Sequence, residues 1–289
     1  MKKVVGLFLV VCSLAFLPAV NANEKKSIVI IDTAIDTTAK NLSGKIVHEV
    51  CIMETQRCPN KTNFMEGPGS ASLPVSQIYS GGFEHGTIMS SVAAQVNPDL
   101  NIVFIRIVPM ANNGRTGVYT DRSVTEALKW VAQNKTKFNI VAVSASFGRH
   151  NFKTLTNYCP VAQELQQTIA GLQSLGVASV FSAGNDYDYS RIDFPACISE
   201  SVAIGSTEKS TRISLYSNSG AELDFYSLGD YSTPVKRAVG TSPAAAGFAA
   251  YWAKVYRGNY QATYDYIKSV SKPTMNAKVT TNLFVDILG

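Results

Sequence analysis

Four polar residues stand where apolar runs end or helix-like segments begin, and their types suit one reaction. Asp32 directly follows the run Ser27-Ile28-Val29-Ile30-Ile31. His85 lies in Glu84-His85-Gly86-Thr87, just ahead of the helix-like stretch Ile88–Val96. Asn185 follows Val177–Phe181 through Ser182-Ala183-Gly184, and Ser242 lies in Gly240-Thr241-Ser242-Pro243 at the start of an Ala-rich segment. Acyl transfer to a serine needs this set. A hydroxyl is a weak nucleophile until a base takes its proton. An imidazole can take it and later return it to the leaving group, provided that a carboxylate fixes its tautomer. An amide side chain with a backbone N–H can hold the oxyanion. Each residue also has a plainer reading: Asp32 as a turn former, Asn185 as a cap, and Ser242 as a helix N-cap before proline.

The elements that would position these groups follow from pattern. Ser27–Ile31, Ile102–Val108, Ile140–Ala145, Val177–Phe181 and Val202–Gly205 are β-branched-rich with little polar alternation, as strands buried on both faces are. Helix patterns lie between them. Ser123-Val124-Thr125-Glu126 reads as a capping box. Pro160 suits a first helical position, with Val161, Leu165, Ile169 and Leu172 at helical spacing. Pro243 is read as the start of a helix with Ala245, Phe248, Ala249, Trp252 and Tyr256 on one stripe. Such alternation predicts an α/β fold, a doubly wound, mostly parallel β-sheet with helices on both faces. Ligands of such sheets bind beyond the carboxyl ends of the strands, where the four residues fall.

The chain has 289 residues, 46% of them hydrophobic and only 16% charged, against a globular average of about 25% charged. Disorder and low-complexity classes are thereby excluded. A formal charge of +5 without a basic run gives no reason to expect nucleic-acid binding. Lys2 and Lys3, the apolar stretch Val4–Val20 and the small residue Ala22 read as a signal peptide over residues 1–22, with a membrane anchor as the rival. Residues 23–289 are then one domain, secreted or periplasmic, with no membrane contact after cleavage and expected to be monomeric. The first strand begins right behind the signal, so no N-terminal propeptide domain is expected. Cys51, Cys58, Cys159 and Cys197 remain, an even number that suggests two disulfides, and Cys51–Cys58 with Cys159–Cys197 is the favoured of three pairings.

Ile31-Asp32-Thr33-Ala34-Ile35-Asp36, His85-Gly86-Thr87, Ser182-Ala183-Gly184-Asn185 and Gly240-Thr241-Ser242, in this order, resemble the aspartate, histidine, oxyanion and nucleophile motifs of the subtilisin-like serine peptidases. The order is the family's own. Asn41-Leu42-Ser43-Gly44-Lys45-Ile46 resembles the segment after the family's aspartate, and the likeness runs through nearly all the chain behind the signal. It implies a subtilisin-like fold and a serine endopeptidase acting on a protein or peptide, with no cofactor in the chemistry and no metal among the site residues. Asp32, His85 and Ser242 would be the triad and Asn185 the oxyanion donor. Ser146, Phe147 and Gly148, with Ser182, Ala183 and Gly184, would wall the substrate groove. Two positions depart from the pattern: Ala34 stands where the family usually has Gly, and Pro243 follows the serine, which disfavours helical dihedrals at Ser242. These departures motivate a non-catalytic peptide-binding module as one rival. A serine esterase or transpeptidase is the other. Asp36 reads as a turn residue behind the site, His48 as a strand residue and His150 as a possible groove residue. Asp186, Asp188 and Asp193 read as a solvated loop, with a structural calcium site as the alternative.

Overall fold

A computed structural model describes residues 25–150, 159–208, 212–274 and 283–288, so the expected signal peptide over 1–22 lies outside the described residues. In chain order the first half is β1 (Ser27–Asp32), β2 (Ile46–Ile52), β3 (Phe64–Glu66), α1 (Val75–Gly81), α2 (Glu84–Val96), β4 (Asn101–Arg106), α3 (Asp121–Asn134) and β5 (Ile140–Ala145). The second half is α4 (Gln163–Ser174), β6 (Ala178–Ser182), β7 (Val202–Thr207), β8 (Phe225–Leu228), β9 (Asp230–Ser232), β10 (Arg237–Val239), α5 (Thr241–Lys254), α6 (Tyr260–Val270), β11 (Lys272–Pro273) and β12 (Leu283–Phe284).

The sheet runs β11-β12-β8-β7-β6-β5-β1-β4-β2-β3. From β12 to β2 every pairing is parallel, and only the edge strands β3 and β11 pair antiparallel. Strand periodicity sorts the side chains into two cores. Ile28 and Ile30 of β1, Ile102 and Phe104 of β4 and Val180 of β6 face α2, α5 and α6. Val29, Ile31, Val103, Ile105 and Phe181 face α3 and α4. A sheet covered on both sides leaves no polar face, hence the unbroken apolar strands.

Helix starts differ from the sequence reading in four places. Helix α2 already begins at Glu84, so His85 lies inside its first turn rather than ahead of it. The capping box of α3 is Thr120 with Ser123, three residues upstream of the Ser123–Glu126 reading, because a serine hydroxyl at the third position can also reach back to the cap N–H. Helix α4 begins at Gln163, and Val161 is 96% exposed rather than part of the buried stripe. Helix α5 begins at Thr241, two residues before Pro243. Proline fits there because the first four N–H groups of a helix have no intrahelical partner to lose. The two expected disulfides, Cys51–Cys58 and Cys159–Cys197, are both present.

Candidate active site

The site grows from the carboxyl end of β1. Asp32 is its last residue and is buried. Its Oδ1 accepts the Thr33 N–H at 2.7 Å, and its two oxygens lie 2.8 and 2.9 Å from His85 Nδ1. A carboxylate only accepts, so Nδ1 carries the proton and Nε2 presents a lone pair. The imidazole is 37% exposed, so that lone pair can be reached.

Local sequence explains why the two meet. His85 is the second residue of α2, and the Thr33 hydroxyl donates to Phe83 O at 2.7 Å while accepting the Gly86 N–H at 3.0 Å. Thr87 Oγ1 accepts the Asp36 N–H at 2.9 Å. The turn after β1 is thus stitched to the first turn of α2. Gly86 makes the approach possible, since a Cβ there would lie 2.5 Å from Ala34 O and from the Phe104 ring. Ala34, in place of the family's glycine, packs with Ile78 and Phe83. Asp36 is a turn acid that accepts from Thr38 and Tyr79.

Burial pulls the His85 pKa down, but the Asp32 charge and hydrogen bond, with Glu84 adding to them, outweigh it and leave the imidazole above its ordinary value. Half-exposure and the positive end of α2 temper that rise without changing its sign.

Ser242 is the second residue of α5, which packs alongside α2, so His85 and Ser242 occupy equivalent places on neighbouring helices. Strand register brings them to one edge: Ile31 pairs with Ala145, so Asp32 and Ser146 are the next residues along adjacent strands. Ser146 and Ser242 exchange hydrogen bonds, Ser146 Oγ donating to Ser242 O at 3.0 Å and Ser242 Oγ to Ser146 O at 3.3 Å. The serine hydroxyl therefore rests on Ser146 rather than on His85. Catalytic hydrogen bonds are often unmade without substrate.

Asn185 is aimed by Thr241. Its Oδ1 accepts the Thr241 N–H at 2.9 Å and the Thr241 hydroxyl at 3.1 Å, so the amide nitrogen must point the other way. The Gly184 N–H donates to the same hydroxyl at 3.2 Å. Gly184 has φ +104°, and a Cβ there would strike Asn218 and Asp193. Sequence reasoning named Asn185 but passed over Thr241, which is fully buried and joins the amide to the serine helix.

Ser146-Phe147-Gly148 and Ser182-Ala183-Gly184 leave the adjacent strands β5 and β6 side by side. Phe147 lies against Tyr119, ring centres 4.4 Å apart. Arg149 and Phe194 form an antiparallel bridge that holds the first segment extended. His150 does not line this cleft. Its side chain is turned inward, 4% exposed, with Nδ1 at 2.8 Å from Asp193 Oδ1 and Nε2 at 3.1 Å from Asp188 Oδ2. Of the acids read as a solvated loop, Asp186 is exposed and Asp188 half-buried, whereas Asp193 is buried. Asn218 Oδ1 accepts the Asp186 and Asp188 N–H groups, which turns Nδ2 onto the Asp186 and Asp193 carboxylates at 3.0 and 3.1 Å. His150, Asp186 and Asp193 lie close enough to share a cation, but here an amide and an imidazole bridge the carboxylates.

A family profile described as the subtilase family matches residues 23–285. A cuticle-degrading serine protease of Arthrobotrys oligospora is 23% identical over 224 residues, 72% of this chain and 51% of that protein. Alkaline elastase YaB of a Bacillus species is 22% identical over 170 residues, 56% of this chain and 40% of its own. The chain thus spans about half the length of the curated relatives it matches. Among solved structures, a cold-adapted subtilisin-like serine proteinase superposes with a TM-score of 0.66 at 21% identity, covering 93% of this chain and 92% of the other. A protease from Pseudoalteromonas arctica gives 0.72 at 17%, covering 91% and 88%.

Proposed function

The chain belongs to the subtilase family, and from that premise we propose that it is an exported serine endopeptidase. Ser242 Oγ attacks the scissile carbonyl, and His85 Nε2 takes its proton and later passes it to the leaving amine. Asp32 holds the tautomer and stabilises the imidazolium. Asn185 Nδ2 and the Ser242 N–H hold the oxyanion at the positive end of α5. A protein or peptide strand lies between Ser146–Gly148 and Ser182–Gly184. The triad asks for no cofactor. The observation that carries this reading is the Asp32–His85 pair, with Nδ1 at 2.8 and 2.9 Å from a buried carboxylate and the imidazole 37% exposed. Two disulfides support an oxidising compartment and therefore export. Among the described residues no helix is long and apolar enough to cross a membrane.

The placement of the Ser242 hydroxyl on Ser146 O favours one second reading, a peptide-binding module that keeps the fold without turnover. Labelling of the purified protein with a fluorophosphonate probe separates the two. The endopeptidase reading expects labelling that disappears in Ser242→Ala and His85→Ala. A well-folded wild type that takes no label supports the binding module.

A further inference from the structure

Arg106 ends β4, beside Asp32 on one side and Cys51 on the other. It is 3% exposed. Its hydrogen bonding is poor: Nε reaches Val108 O at 3.4 Å, beyond ordinary N–H···O range. The guanidinium carbon lies 5.6 Å from the Phe83 ring centre. Among the described residues no carboxylate pairs with it, although acids are near in the fold. Asp32 is engaged by His85 and Thr33. Glu49 of β2 is engaged by the Gly69 and Ala71 N–H groups and the Ser72 hydroxyl. Burial pushes the guanidinium down to about 10. A buried cation without a counter-ion is costly, and a protein normally supplies one.

What lies in front of Arg106 is space. A cavity of about 700 Å³ opens under the loop that Cys51–Cys58 closes, with Arg106, Gln56, Arg57, Ser72 and Met110 in its wall. The wall is held in place: Gln56 Nε2 donates to Met110 O at 3.0 Å, and its Oε1 accepts the Met110 N–H at 2.7 Å. Glu54, the cavity's one carboxylate, accepts from the Thr120 hydroxyl. The volume is far more than the ~30 Å³ share of one water and falls within the roughly 300–1,000 Å³ of small-ligand sites.

We propose that this cavity is an oxyanion-binding site, in which the planar fork of Arg106 takes two oxygens of a carboxylate or phosphate group. The fork geometry matches both groups. The site is built by the disulfide loop and the end of β4, and it stands whether or not Ser242 is an active nucleophile.

The test is thermal unfolding of the purified protein with sodium acetate or inorganic phosphate replacing chloride at constant ionic strength. A saturable rise in Tm of several degrees is expected, in acetate if the ligand is a carboxylate and in phosphate if it is a phosphate. Arg106→Met should abolish the rise. Since that variant can fail to fold, Thr55→Glu supplies a second arm: Thr55 is an exposed wall residue, and a carboxylate there would pair with Arg106 from within. It should raise Tm without added anion and erase the response to both salts. Shifts no larger than those in chloride overturn the proposal, as does an undiminished response in Arg106→Met or in Thr55→Glu.

Discussion

The molecule contains two histidine–aspartate pairs of the same length. His85 Nδ1 lies 2.8 Å from Asp32, and His150 Nδ1 lies 2.8 Å from Asp193. Their surroundings differ in every other respect. His85 pairs with one carboxylate through Nδ1 alone and is 37% exposed. His150 is 4% exposed and wedged among Asp186, Asp188 and Asp193, so both of its nitrogens lie against carboxylate oxygens. The first leaves one nitrogen free to accept a proton from a hydroxyl in the cleft; the second has both nitrogens occupied by its own cluster. A short hydrogen bond to an aspartate therefore does not make a base. The unspent second nitrogen does.

Exchanging the two histidines for alanine should break the symmetry most sharply. His85→Ala is expected to lower kcat/KM by about 10⁴-fold or more with little change in Tm. His150→Ala leaves a buried carboxylate without its partner, so it should lower Tm while keeping kcat/KM within about tenfold. Peptidase assays beside thermal unfolding read both. If His150→Ala lost as much activity at an unchanged Tm, the assignment of roles would be wrong.

The aspartates give the next largest contrast. Asp32→Asn should cost about 10⁴-fold in turnover, because an amide can donate to Nδ1 and select the wrong tautomer. Asp193→Asn should act on stability instead. Burial is the main cause that pushes Asp193 up to about 6, with Asp186 adding to it and His150 opposing. A folded-state pKa above the unfolded 3.8 means that the native protein holds the proton more tightly. Its contribution is present at low pH and lost as pH rises from about 4 to 6, at up to roughly 1.4 kcal/mol per pH unit. Asp224, also pushed up to about 6 by burial, gives the same slope to both proteins and cancels. The difference in Tm between wild type and Asp193→Asn should therefore change across that window, and a constant difference would refute the assignment.

These two regions were not equally legible in the sequence. Asp32 and His85 could be read because each carries its positioning device beside it: a strand that ends in the acid, and Gly86-Thr87, whose missing Cβ and hydroxyl draw the helix onto the turn. The His150 cluster could not, because it is assembled from segments far apart in the chain. Asn218, which orders it, lies 32 residues beyond Asp186 and 68 beyond His150. The same holds for Arg106, which is covered by the loop that follows β2, far from it in the chain. Four cysteines behind an apolar leader-like segment, by contrast, made two disulfides the economical reading, and both formed. Helix starts erred where chemistry is interchangeable. Serine can serve at either end of a capping box, and proline is tolerated throughout a first turn.

The smallest effect probes the active pair alone. His85 must be neutral to act as a base, so activity falls as pH drops through its pKa. Burial lowers that pKa, but Asp32 and then Glu84 raise it more, which places the acid limb of kcat/KM above the ordinary histidine value of about 6.5. Glu84 precedes His85 in the first turn of α2, and its carboxylate lies 3.8 Å from Lys236 Nζ. Glu84→Gln removes a negative charge and should move the limb to lower pH, with the plateau kept within about twofold. Lys236→Ala removes the opposing positive charge and should move the limb the other way, by less, because Lys236 is mostly exposed. Since neither residue touches the cluster around His150, neither should alter the stability profile assigned to Asp193. Opposite limb shifts with that profile intact would show that the two pairs titrate separately.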